Sequence, residues 1–118
     1  MDIHSKQDLL NSSCQDLSDD SITINDDDIS QLLSHLENWE ISDGHKSISR
    51  LFKFKNYYQT IAFVNASAWI VHDEDHHPEL NVTYNKCHVH FSTHSVNGLS
   101  IKDFICAAKH DELINRTG

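Results

Sequence analysis

Ten histidines in 118 residues are the chemically loaded feature of this chain. Imidazole is the side chain that titrates near neutral pH and can give or take a proton there. His4, His35, His45 and His110 read as surface residues or as satisfied hydrogen-bonding groups. Three others stand apart. His76-His77-Pro78 is a doublet whose backbone the proline sets, because the residue before a proline is pushed out of helical conformation. His94 lies at the far end of a strand-like run, on its polar side. Imidazoles held at one site could serve as general acid and general base, each transfer contributing roughly 10²–10⁴-fold. His72 and His76 also stand four apart, a helical spacing that lets two imidazoles grip one zinc ion. The metalloprotease form of that spacing has glutamate directly after the first histidine. Here Asp73 fills that place, and Glu74 points about 200° around the helix from His72.

The elements that must position these groups follow from periodicity. Asn25 can cap a first helix, with Asp28 three residues later and Ile24 stapling Ile29. Asp26, Asp27 and Asp28 match the positive end of its dipole. Ile29, Leu32, Leu33 and Leu36 recur at helical spacing, and Trp39 ends the segment. Trp39 to Ile41, a turn at Ser42-Asp43-Gly44-His45, and Ser47 to Phe54 then read as a hairpin. Asn56 with Gln59 opens a second helix running to about Asp75, with an apolar stripe of Tyr57, Ile61, Val64, Ala68 and Val71. Val82 to Asn85 and His88 to Thr93 read as two more strands joined through Asn85-Lys86. In the latter, Cys87, Val89 and Phe91 face one way, and His88, His90, Ser92 and His94 the other. Asn97-Gly98 is a turn, after which Ser100 caps a third helix, with Asp103 at the capping-box position, reaching near Asn115. The order α-β-β-α-β-β-α predicts an α+β fold: a four-stranded antiparallel sheet with three helices packed on one face.

Composition narrows the function classes. Residues 1–20, rich in Ser, Asp, Asn and Gln, read as an acidic flexible tail, and residues 21–118 as a single domain. Of the net charge of −9, the first thirty residues carry −7. No basic face is therefore available to release counterions from a phosphate backbone, which argues against direct nucleic-acid binding. No apolar run approaches the roughly 20 residues of a membrane span, so no membrane partner is expected. Cys14, Cys87 and Cys106 are odd in number and form no C-x-x-C pair, which suits reduced thiols in a cytoplasmic protein.

The run His72-x3-His76-His77-Pro78-x5-Tyr84-x9-His94-x8-Asp103 resembles the signature of the pterin-4a-carbinolamine dehydratase family. Asp75 to Glu79, Tyr84-Asn85-Lys86, Ser92-Thr93-His94 and Gly98-Leu99-Ser100 extend the likeness, which covers about Ile29 to Leu113. The resemblance implies the same α+β sandwich of sheet and helices, in a homodimer or homotetramer. It implies dehydration of a 4a-hydroxytetrahydropterin to the quinonoid dihydropterin, after an aromatic amino-acid hydroxylase has made the carbinolamine. Neither metal nor cofactor is implied; the pterin is the substrate. Carried over residue by residue, His76, His77 and His94 line the pterin site. His76 and His94 form the acid–base pair, and His77 holds the substrate. Asp103 orients a histidine while also serving as the helix cap, and Pro78 and Leu80 wall the flat ring. His72 stands where the family often has an acid, and Leu80 where animal members carry Trp, the leucine being the bacterial form.

Two other readings have a basis in the residues. One is a histidine-bound metal site on His72 and His76. The other is a protein-interaction module, since animal members of the family also act as dimerisation cofactors. That role would use an oligomer-forming helix, expected at Ser100 to Asn115, and not the histidines.

Overall fold

A computed structural model of the chain describes residues 3–14 and 24–117. Four strands, β1 (Glu40–Ile41), β2 (Ile48–Lys53), β3 (Glu79–Val82) and β4 (Lys86–Phe91), form one sheet in the order β1-β2-β4-β3, every pair antiparallel. Helices α1 (Lys6–Leu10), α2 (Asp26–Ser34), α3 (Tyr57–Glu74) and α4 (Ile101–Thr117) accompany it. The α+β class and the antiparallel sheet match the expectation from sequence, with one helix more than predicted.

That additional helix revises the tail expected over residues 1–20. Ser5 caps α1 by accepting from the Asp8 N–H, and Ile3, Leu9 and Cys14 are buried in the core. Scattered apolar residues suffice here because each meets α4 or its surroundings individually. Residues 15–20 lie outside the described part of the chain.

Local chemistry explains most boundaries. Asn25 and Asp28 form the full capping box of α2. That helix stops at Ser34, short of Trp39, and the chain crosses a left-handed Asn38 before β1. Leu36 and Trp39 remain buried all the same. Gly44, at φ +78°, allows the turn between β1 and β2. Strand β3 begins immediately after Pro78, earlier than the expected Val82 to Asn85. Thr83 to Asn85 instead make the turn, closed by the Thr83 N–H donating to the Lys86 carbonyl at 2.9 Å.

The inner face of the sheet buries Ile48, Phe52, Cys87, Val89 and Phe91. Phe52 meets Phe63 of α3 at 4.6 Å between ring centroids, and Trp39 lies 6.0 Å from Phe91. Each such pair adds about 0.5–1.5 kcal/mol beyond its buried area. On α3 the buried residues are Thr60, Phe63, Ser67 and Glu74, one position before the predicted stripe. Polar Thr60 and Ser67 turn inward because they find partners there. Thr60 Oγ1 donates within hydrogen-bond distance of the Asn56 and Tyr84 carbonyls, and Ser67 bonds His110. Tyr57 and Ala68 are correspondingly exposed.

Helix α4 runs through the interior, with Ile101, Phe104, Ile105, Cys106, Ala107, Ala108, His110 and Asp111 all buried. Over residues 100–114 the segment packs against α3 and α1, with Lys102, Lys109, Glu112 and Ile114 half-buried. The outer face of α3 exposes Tyr58, Ala62 and Trp69, with polar Asn65 and His72 on the same face at spacings of four and three.

Candidate functional site

The corner where α3 ends, β4 ends and α4 begins gathers the polar side chains of interest. Helix α3 closes on Asp75 in left-handed conformation, φ 50°. This swings His76 off the helix axis, and the ring lies parallel to Phe91, 7° between planes and 5.9 Å between centroids. His76 Nε2 stands 2.6 Å from Asp103 Oδ1; the Asp103 side chain is fully buried and that of His76 is 11% exposed.

Asp103 is fixed from its other side. Its Oδ2 accepts the Ser100 backbone N–H at 3.0 Å and the Thr93 hydroxyl at 2.7 Å. Since the Thr93 proton points to Asp103, the Ser100 hydroxyl, 2.8 Å away, donates to Thr93, and itself accepts from the Lys102 N–H. The donors thus run in one direction and end on the carboxylate. A carboxylate only accepts, so the His76 proton sits on Nε2 and Nδ1 is left as the nitrogen able to exchange a proton with a ligand.

Thr93 carries His94 with it. The strand ends at Phe91, so His94 does not continue along the polar face of β4 with His88 and His90. It begins a one-turn 3₁₀ segment, His94–Val96, closed by mutual hydrogen bonds between Thr93 and Gly98 at 2.7 and 3.3 Å. There His94 is exposed and, with Lys46, Ser92, Thr93, Asn97 and Gly98, lines a shallow hollow of about 140 Å³. His77 is exposed and Pro78 half-buried, both next to His76 along the chain.

His72, His77, Leu80 and His94 contribute no side chain to the hydrogen-bonded cluster of His76, Thr93, Ser100 and Asp103. His72 is exposed on the last turn of α3. Leu80 faces the core side of β3 opposite Val89, so only its exposed remainder could wall a ligand. Tyr84 sits on the β3–β4 turn, stacked on Tyr57 at 6.3 Å. Among the described residues, no three His, Cys, Asp or Glu side chains are gathered to hold a metal ion, and His76 Nε2 is engaged by Asp103.

Thr93 and Phe91 are the site residues that sequence reasoning did not single out. A signal existed: the inward parity of Cys87, Val89 and Phe91 continues to Thr93, a polar residue aimed at the core that must find a partner there. His110, read as a satisfied hydrogen-bonder, is one. It is fully buried between the Ser67 hydroxyl and the Cys106 carbonyl, and burial holds its basicity below the ordinary value.

Residues 22–113 match the family model described as pterin 4 alpha carbinolamine dehydratase. A Legionella pneumophila (strain Lens) protein provisionally named pterin-4-alpha-carbinolamine dehydratase is 49% identical over 108 residues, 91% of this chain and 96% of the relative. One from Stenotrophomonas maltophilia (strain K279a), named the same way, is 56% identical over 85 residues, 72% of this chain and 73% of that protein. The crystal structure of a transcriptional coactivator/pterin dehydratase from Brucella melitensis is similar with a TM-score of 0.73 and 32% identity. It covers 76% of this chain and 96% of that one.

Proposed function

The chain belongs to the pterin 4 alpha carbinolamine dehydratase family, and from that premise we propose that it removes water from a 4a-hydroxytetrahydropterin to give the quinonoid dihydropterin. The reaction breaks the C4a–OH bond and the N5–H bond and forms C4a=N5. One proton must reach the departing hydroxyl and another must leave N5. The observation that carries the reading is the 2.6 Å contact of His76 Nε2 with Asp103 Oδ1, which leaves Nδ1 of His76 for a substrate proton. His94, next to the Thr93 that holds the same carboxylate, is the partner in acid–base transfer. Exposed His77 holds the substrate, and Pro78 offers an apolar edge to the ring.

No cofactor takes part in this scheme, because water loss needs only proton transfers. We assign the work to the cytoplasm, where a hydroxylase would supply the carbinolamine. Among the described residues no helix is long and apolar enough to cross a membrane. The protein acts as a homo-oligomer that buries the outer face of α3, where Tyr58 is 85% and Trp69 73% exposed. A separate protein-binding role would use the same face and leave the histidine corner intact.

The test is turnover of 4a-hydroxytetrahydropterin, generated in situ, with and without chelator. Chelator-insensitive turnover is the expected result. Turnover abolished by chelator and restored by zinc would replace it with the metal reading. No turnover by folded protein across several pterins would leave the binding module.

A further inference from the structure

Cys14 ends the described N-terminal arm, residues 3–14, and Cys106 lies one turn after Asp103 on α4. Their Sγ atoms are 3.9 Å apart although the residues are separated by 92 positions in sequence. Both are buried. The contact is held in place from several directions. Ile3 and Leu9 are buried, Lys6 Nζ reaches Asp111 Oδ2 at 3.2 Å, and the Cys14 N–H donates to Glu74 Oε1 at 2.8 Å. Glu74 is itself anchored by Lys109 Nζ at 2.9 Å. Two thiols carried by different elements are thus brought together by contacts that involve neither sulfur.

We propose that Cys14 and Cys106 form a reversible thiol–disulfide site which, oxidised by a low-molecular-weight disulfide, locks the N-terminal arm onto α4. In the docked state the Cys106 thiol is unreactive. Contact with Cys14, followed by burial, pushes the Cys106 thiol up, so the attacking thiolate is scarce. Lifting the arm exposes both sulfurs and removes the Cys14 contact and the burial that push the Cys106 thiol up, so thiolate becomes available for attack. One thiolate then attacks oxidised glutathione, forming a mixed disulfide and releasing one glutathione thiol. As the arm swings back, before burial is restored, the second cysteine attacks the protein sulfur of that mixed disulfide as a thiolate and releases the other glutathione. Two cysteine thiols are oxidised to one disulfide, and one glutathione disulfide is reduced to two thiols, so atoms and electrons balance. Cys87 provides an internal control, since burial beneath the sheet pushes its thiol up to about 11.

The resulting bond closes a long loop, which constrains the unfolded chain strongly and raises Tm by about 5 °C or more. The experiment is to incubate the folded full chain with oxidised glutathione, then count thiols after unfolding, map peptides and record melting. The expected result is one remaining thiol of three, a Cys14–Cys106 peptide without glutathione, a higher Tm, and reversal of all three by dithiothreitol. Because arm opening gates the reaction, Leu9→Ala and Lys6→Gln should each speed oxidation by about threefold or more. Three thiols surviving prolonged exposure would overturn the proposal, as would a stable glutathione adduct or a disulfide between two chains. An oxidation rate unmoved by both arm variants would overturn the gating by arm opening.

Discussion

Asp103 accepts His76 Nε2 on one carboxylate oxygen and the Ser100 backbone N–H on the other, at 2.6 and 3.0 Å. The residue that starts α4 is therefore the residue that fixes the ring at the end of α3. Helix capping and site geometry share one side chain, one oxygen serving each.

Replacing the carboxylate by its amide separates the two roles. In Asp103→Asn, an amide nitrogen must face either His76 or the Ser100 and Thr93 donors. Facing His76, it forces the ring proton from Nε2 to Nδ1; facing the others, it sets donor against donor. The expected result is a kcat about 100-fold lower with KM little changed. Nitrogen-15 spectra of the His76 ring report the tautomer directly. Unchanged kcat with a changed tautomer would show that the ring orientation is not used.

Thr93 positions the carboxylate through its hydroxyl and contacts no reacting atom in the proposed scheme. Thr93→Val removes the donor, leaves a buried oxygen short of a partner, and should lower kcat about tenfold. Thr93→Ser restores the hydroxyl and should recover turnover to within about threefold of the parent. Equal loss in both variants would assign the effect to packing of the γ-methyl.

Asp111 draws sheet, helix and arm together. Its Oδ1 accepts Trp39 Nε1 at 2.8 Å and Arg50 NH1 at 2.7 Å, and Lys6 approaches Oδ2. Arg50 shares the inward parity of Ile48 and Phe52, so without Asp111 a guanidinium is left nearly buried and unpaired. Asp111→Ala is expected to cost about 3–5 kcal/mol of unfolding free energy, read from urea denaturation. A loss under about 1 kcal/mol would mean that the cluster contributes little.

Stability should fall on mild acidification. Burial lowers the basicity of His110, with the Cys106 carbonyl and Asp111 opposing only in part. Burial and the neighbouring His88 lower that of His90, against Glu79. The unfolded chain takes up protons below about pH 6.5 while the folded chain resists them, so stability declines as pH falls through that window toward the folded values. Melting at pH 7 and pH 5 checks this. His110→Gln, though less stable overall, should show a shallower decline, and an equal slope would remove His110 as its source.

A second window lies lower. Burial pushes the Glu74 carboxyl up, but the Cys14 N–H and Lys109 outweigh it and hold it below the ordinary value. Its contribution is present above about pH 4.3 and is lost as pH falls through the folded value. Protection of residues 5–14 against hydrogen exchange, normalised to the intrinsic rate at each pH, should fall in that range in the parent, and be lower at all pH values in Glu74→Gln. Identical exchange in the two proteins would show that Glu74 does not anchor the arm.

Much of this architecture was legible because local chemistry coincides with the fold. The Asn25–Asp28 capping box, the Asn56 cap and the inward parity of Cys87, Val89 and Phe91 each appear where the residues place them. What sequence did not disclose depends on partners far along the chain. Thr60 and Ser67 face inward on α3 only because Tyr84 and His110 meet them, which rotates the buried stripe by one position. Leu9 is buried because α1 packs on α4, a long-range contact that the local sequence does not announce. For the candidate site, His76 and His94 stand out by the proline-pinned doublet and the strand end, and the site roles of His76, His94 and Asp103 come from the family resemblance. That Thr93 bonds the Asp103 carboxylate, with His94 next to it in a one-turn 3₁₀ segment, follows from the end of β4 at Phe91, which alternation alone does not predict.

The central claim is that His76, held by Asp103, exchanges a proton with a 4a-hydroxytetrahydropterin. The most direct measurement is kcat/KM of His76→Ala beside the parent on that substrate, with circular dichroism to verify folding. A loss of about 100-fold or more in a folded variant is the predicted result. Activity within about twofold of the parent would contradict the account.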